Sequence, residues 1–202
     1  MSDQTDVVNV ALRQIGAARI TSLTDGSNEA TTANDLWGEA LDDVLRSHNW
    51  NFATRRQKLA AAANAPAYEF DYAYPVPSDW VRTVSVHDND GGDGTITFRE
   101  EYQDGVRCIL ASSTDLYLRY VARITNVGLM PPDFRRALAM HLAMDMAIPL
   151  ANSAIVLQTM QGLYERALTK AMSADARGAS PESRPPGSWI STRASWPGRT
   201  SF

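Results

Sequence analysis

Between Pro131-Pro132-Asp133 and Pro149 the chain has almost no polar side chains, and this run limits the fold more than any other segment. The prolines and the acidic residue make a good N-terminus for a helix over Phe134 to Ile148. Beyond Arg135 and Arg136, only His141 and Asp145 interrupt Ala137, Leu138, Ala139, Met140, Leu142, Ala143, Met144, Met146 and Ala147. A helix that is apolar almost all round has no face to offer water, so it must be central or packed against another subunit. Pro149 and Asn152 are expected to end it.

Three amphipathic helices are expected to accompany it. Thr5 and Asp6 precede Val7, Val8, Ala11, Leu12 and Ile15, which share one helical face, and Gly16 is the expected stop. After Ser27, an apolar stripe of Ala33, Leu36, Trp37, Ala40, Leu41, Val44 and Leu45 lies opposite Asn34, Asp35, Asp42, Asp43 and Arg46. The last helix sets Val156, Met160, Leu163, Tyr164, Ala167, Leu168 and Ala171 against Gln158, Gln161, Glu165 and Lys170.

From Trp50 the pattern changes, because Pro66, Pro75 and Pro77 forbid a long helix while Tyr, Val and Thr become frequent. Trp80, Val84 and Val86 alternate with polar neighbours, as do Ile96 and Phe98, and then Leu116, Leu118, Tyr120, Ala122 and Ile124. Asp104-Gly105 predicts a type I′ turn between a strand ending near Glu101 and one over Val106 to Ala111. These spacings predict an antiparallel meander. The fold class expected is therefore α+β: an antiparallel helical bundle (1–52 and 127–175), an inserted antiparallel β module that is a meander, sandwich or barrel (53–126), and an extended C-terminal tail (176–202).

The 202-residue chain is long enough for a sizeable core without staples, and Cys108, its only cysteine, excludes an intrachain disulfide. Neither a signal peptide nor a membrane span is expected, so the cytoplasm is the expected place of synthesis. The tail holds Arg177, Arg184, Arg193 and Arg199 against Glu182 alone, a balance of +3; the total of -4 leaves -7 for the rest. An acidic body argues against phosphate-driven DNA binding by the folded part. The tail's Gly, Pro, Ser and Arg content cannot offset its ordering entropy alone, yet Trp189, Ile190, Trp196 and Phe202 are large anchors suited to a partner.

Catalytic motifs are not found: there is no phosphate loop of the Walker type, no GxSxG elbow and no HExxH. His141 and Asp145, four apart on the apolar helix, are read either as an acid–base pair or as a buried pair holding helices together, the second being the commoner arrangement. The stretch Asp88-Asn89-Asp90-Gly91-Gly92-Asp93-Gly94 has carboxylates and glycines, but its glycine position holds Asp93 and its final bidentate position holds Arg99, so a hairpin loop rather than a calcium site is expected. Cys108 is read as a small buried hydrophobe. No cofactor and no metal are expected.

The most distinctive segment is Leu45-Arg46-Ser47-His48-Asn49-Trp50-Asn51-Phe52-Ala53, running on through Arg56 to Leu59. It resembles the tail tubular protein A family, the head-to-tail adaptors of T7-like and related tailed bacteriophages, in which a Leu-Arg-x-His-Pro-Trp-x-Phe-Ala segment is similarly placed. Asn49 stands where that pattern has proline. Tyr74-Pro75-Val76-Pro77-Ser78-Asp79-Trp80-Val81-Arg82, then Leu116 to Ile124, then Phe134 with Ala137, Leu138 and Ala139, are similar in the same order, so the likeness runs from about residue 4 to about 175.

The resemblance implies a virion protein without enzymatic activity: a ring of twelve copies seated beneath the portal protein, its other side meeting a downstream tail or nozzle protein, with DNA passing through without sequence-specific binding. On residue type, Arg184, Trp189, Ile190, Arg193, Trp196 and Phe202 are the portal-contact candidates. His48, Trp50, Phe52 and Arg56 are candidates for locking the helix-to-β junction or for intersubunit packing. Asp88, Asn89, Asp90 and Asp93 form an exposed loop that could face a neighbouring tail component. Two rival classes remain: an oligomeric nucleic-acid packaging module using the basic tail, and a polysaccharide hydrolase, for which Glu100 and Glu101 are poorly placed because adjacent strand residues face opposite ways.

Overall fold

The computed structural model describes residues 3–91 and 96–178. Helix α1 (Gln4–Ile15) starts one residue before the expected signals, because Asp3 is the cap and forms a reciprocal box with Asp6. It ends at Gly16 with φ 76°, a left-handed turn that a side chain would strain. Helix α2 (Asn28–Arg46) begins where Ser27 Oγ accepts from Ala30 N at 3.2 Å. Asp25 steadies that cap, accepting from Ser27 Oγ at 2.6 Å and Ser27 N at 3.0 Å.

The Ser27 hydroxyl, then its amide, hold the Asp25 carboxyl down to about 2. A lowered carboxylate contributes stability that is complete above its unfolded value and lost as pH falls through about 2. A carboxyl-carbon NMR titration of Asp25 should therefore have its midpoint near 2, and an ordinary carboxylate midpoint would contradict the hydrogen bonds drawn here.

Among the described residues, six strands lie between the two helical stretches: β1 (Thr54–Leu59), β2 (Tyr72–Pro75), β3 (Trp80–His87), β4 (Arg99–Gln103), β5 (Val106–Ala111) and β6 (Leu116–Ala122). They form two antiparallel three-stranded sheets in the orders β1-β6-β3 and β2-β5-β4. The neighbour-to-neighbour meander expected from the spacing is corrected: among the described strands only β4 and β5 join as a hairpin, across Asp104 (φ 52°) and Gly105 (φ 79°), the positive pair a type I′ turn requires. β6 inserts between β1 and β3 because its alternation of Leu116, Leu118 and Tyr120 gives a fully buried face that an edge strand would waste.

Two local expectations also change. Ile96 and Phe98 pack against the core but precede β4 rather than belonging to a strand. In β3 the buried positions are Val81 and Val86, five apart, because the register against β6 shifts between Trp80 and Arg82 and again between Thr83 and Ser85.

Helix α3 (Pro132–Ala151) is central, with α1, α2 and α4 (Ala154–Ala176) all packed on it. Ten of its residues are buried, from Phe134 to Ala147, and each large one contributes about 1.5–3 kcal/mol. Pro149 does not end the helix. It sits in the last turn, and the stop is Asn152 with φ 45°, whose N–H bonds Ile148 O. One contiguous hydrophobic cluster runs from the helices into both sheets. No helix among the described residues is long and apolar enough to cross a membrane.

A smaller cluster of Ala73, Cys108 and Leu110 lies on the outer face of β2-β5-β4, covered by Ala62 and Phe70 of the loop between β1 and β2. Burial, then the nearby Asp104 charge, push the Cys108 thiol up. Cys108 should resist a soluble disulfide reagent in the native state and react at once in denaturant; rapid native labelling would place it elsewhere.

Candidate functional site

At the end of α2 the chain turns back on itself. Ser47 Oγ donates to Val44 O at 2.7 Å, and Trp50 Nε1 donates to the same carbonyl at 2.8 Å, so side chains serve one of the acceptors that a helix end leaves open. The Trp50 ring is 1% exposed and meets Phe134 edge-on at 5.0 Å; Phe52 meets Phe134 at 4.8 Å, and the His48 ring stands against Trp50 at 5.1 Å. Asn51–Ala53 form a single 3-10 turn, and Thr54 Oγ1 donates to Trp50 O at 2.7 Å before β1 begins.

Asp175 closes this junction from the far end of α4. Its carboxylate accepts from Asn51 N at 3.1 Å and lies 3.5 Å from His48 Nε2, while Asn51 Nδ2 donates to Asp175 O at 2.7 Å. A carboxylate at a helix C-terminus opposes the helix dipole, so these contacts must outweigh an unfavourable position. The ends of α2 and α4 and the starts of β1 and α3 thus meet at His48, Trp50, Phe52, Phe134 and Asp175. Asn49 has its own contact there: its side-chain oxygen accepts from the Arg82 guanidinium, tying the junction to β3. Asp79, in the turn before β3, accepts from Tyr120 Oη at 3.1 Å and from Arg55, linking that turn to β6 and β1.

Arg56 is placed apart from the other three junction candidates. It projects from β1 into a groove of about 620 Å³ on the face of β1-β6-β3, directly opposite Arg119, and the same groove is bordered by Asn89 and Asp90. Like charges facing across strands repel. Lys58, one row further on, is bonded to Asp115 at 2.9 Å, which raises its amine, and lies 5.3 Å over the Tyr117 ring. Asp88, Asn89 and Asp90 are exposed at the end of β3, with Asn89 Nδ2 donating to Asp88 Oδ1 at 3.0 Å. Asp93 lies outside the described residues, as do Arg184, Trp189, Ile190, Arg193, Trp196 and Phe202. The last described residue, Gly178, is beside Asn51.

His141 is 8% exposed, 2.9 Å from Asp145 through Nδ1 and 3.8 Å from Asp43 through Nε2, with its ring edge-on to Tyr164 at 4.8 Å. Burial, then the Asp43 and Asp145 charges, push the Tyr164 phenol up, so it stays protonated. These contacts bridge α2, α3 and α4. Glu100 and Glu101 are both exposed on β4. Among the described residues no group of three metal-ligating side chains converges.

Asp175 carried no signal in the sequence, since its partners are 124 positions away. No family model matches this chain, and no curated protein matches it significantly.

Proposed function

We propose that this chain is a structural head-to-tail adaptor of a tailed bacteriophage, a ring of about twelve copies joining the portal protein to a downstream tail or nozzle protein around the DNA exit channel. The four helices act as the bundle of each subunit and the strands as its inserted module. The C-terminal segment, with Arg184, Trp189, Ile190, Arg193, Trp196 and Phe202, grips the portal. The reading needs no cofactor and no catalysis; the protein is made in the host cytoplasm and ends in the virion.

One observation carries it. The segment most specific to the resemblance, Leu45 to Ala53, is where four elements are tied together, and Asp175 and Gly178, the last described residues of the C-terminal side, lie against its Asn51. Aromatic and Arg anchors on an otherwise polar stretch are hot-spot chemistry, and a rigid root gives them a fixed origin on each subunit.

The test is the mass of the purified protein, alone and with its cognate portal, for the full chain and for one ending after Gly178, which leaves the Asp175 contacts intact. The full chain should form a ring-sized complex with portal and the shortened one should not. If neither binds, the adaptor reading falls. The rival with an observation in its favour is nucleic-acid packaging, because Arg56 and Arg119 face each other on one groove. It requires DNA retention that weakens steeply with salt.

A further inference from the structure

The loop between β1 and β2 contains a backbone feature that proteins seldom tolerate. Phe70 N bonds Tyr68 O at 2.9 Å across Glu69, whose φ is 72°, so three residues make a γ-turn with a non-glycine residue at its centre. The Glu69 carboxylate is pinned 3.5 Å from Arg99, and Phe70 is packed over Ala73, Cys108 and Leu110. What this strained turn achieves is to hold Tyr68 out in water, 80% exposed, just ahead of the acidic Glu69 and Asp71. Strain kept in place by surrounding contacts is characteristic of binding surfaces.

A second surface has the opposite character. The Arg107 guanidinium lies 4.6 Å over the Trp80 ring and 5.0 Å over the Tyr102 ring, and donates to Tyr102 Oη at 2.9 and 3.2 Å. These groups line a groove of about 420 Å³ that also receives two more arginines, Arg46 and Arg123, against the single carboxylate of Asp42. It is an aromatic groove with excess positive charge, the composition that takes an aromatic residue followed by carboxylates.

The two surfaces cannot meet within one chain. Side chains alternate along β5, so Cys108 and Leu110, beneath the Tyr68 loop, face one way while Arg107 faces the other, with Tyr102 directly across from it. Tyr68 and the groove are on opposite faces of one sheet. We propose that the Tyr68–Asp71 knob of one copy docks in the Trp80–Tyr102–Arg107 groove of a second copy. Because knob and groove are different surfaces, the contact is heterologous, and repeated it closes a ring or runs on as a filament. This deepens the ring reading and rests on it.

Tyr68→Ala removes the knob and Tyr102→Glu puts a charge of the knob's own sign in the groove; both positions are exposed, so the fold should survive, which circular dichroism checks. In sedimentation velocity up to about 1 mM, wild type should form species larger than a dimer, and each variant alone should associate on the order of ten-fold more weakly or worse. Mixed, the variants should give dimers and nothing larger, because one good knob meets one good groove. Either variant assembling like wild type, a mixture that stays monomeric, or a wild type that stays monomeric would overturn the contact. If wild type and both variants all form rings on the portal, the ring reading stands and this contact falls. If wild type pairs through these surfaces but never joins portal, the reverse holds.

Discussion

Replacing Trp50 with Ala should cost about 3–5 kcal/mol in urea unfolding, the largest loss expected from any single change in this chain. The indole is fully enclosed, touches Phe134, Phe52 and His48, and donates its N–H to Val44 O. Truncation therefore opens a cavity where α2, α3 and β1 meet and also strips a terminal carbonyl of its buried donor. Since whole domains are stable by only about 5–15 kcal/mol, this one change should remove a substantial fraction of the total. Trp50→Phe separates the two effects: it keeps most of the packing and loses only the hydrogen bond, so its cost should be about 1–3 kcal/mol. A Trp50→Ala midpoint within 1 kcal/mol of wild type, by the usual slope, would mean that the junction is not the keystone described.

The second large effect is expected at Asp175. Its carboxylate is nearly buried, and removing it leaves the Asn51 amide and the His48 ring without their acceptor, so Asp175→Ala should cost about 1–3 kcal/mol. The loss has a location as well as a size. Hydrogen exchange at the Asn51 amide should speed up and the last turn of α4 should fray, while the middle of α3 keeps its protection. In a double-mutant cycle, His48→Ala and Asp175→Ala should be non-additive, because they share one contact. Additive costs, or unchanged exchange at Asn51, would show that α4 is held by its apolar face alone.

Much of this fold is local enough to be read along the chain. Ser27 as a cap, Gly16 as a stop, Asp104-Gly105 as a positive-φ pair and the all-round apolarity of α3 each follow from one to four neighbouring residues. Most of what could not be read comes from pairing between distant segments. Nothing near Leu116 announces that β6 will separate β1 from β3, and a bulge in β3 moves burial from an even to an odd position without changing composition. Of Pro149 and Asn152, the two residues expected to end α3, only Asn152 does so, because a proline in the last turn removes a single N–H and the left-handed Asn152 supplies the stop. At the candidate site, Trp50, Phe52 and His48 stood out as a cluster of rings in one short segment. Asp175 and the separation of Arg56 from that cluster depended on three-dimensional closure.

The strand order has a consequence for how the subunit comes into being. The middle strand of one sheet, β6, and the helix on which the others rest, α3, both belong to the second half of the chain. During synthesis, α1, α2, β1 and β3 emerge with their principal partners still unmade, so their apolar faces wait until residues near 150 have left the ribosome. Folding should then be late, cooperative and comparatively slow, since most closing contacts span long loops. A nascent fragment would have no finished surface to offer a neighbour, and only complete chains would be competent to enter an assembly.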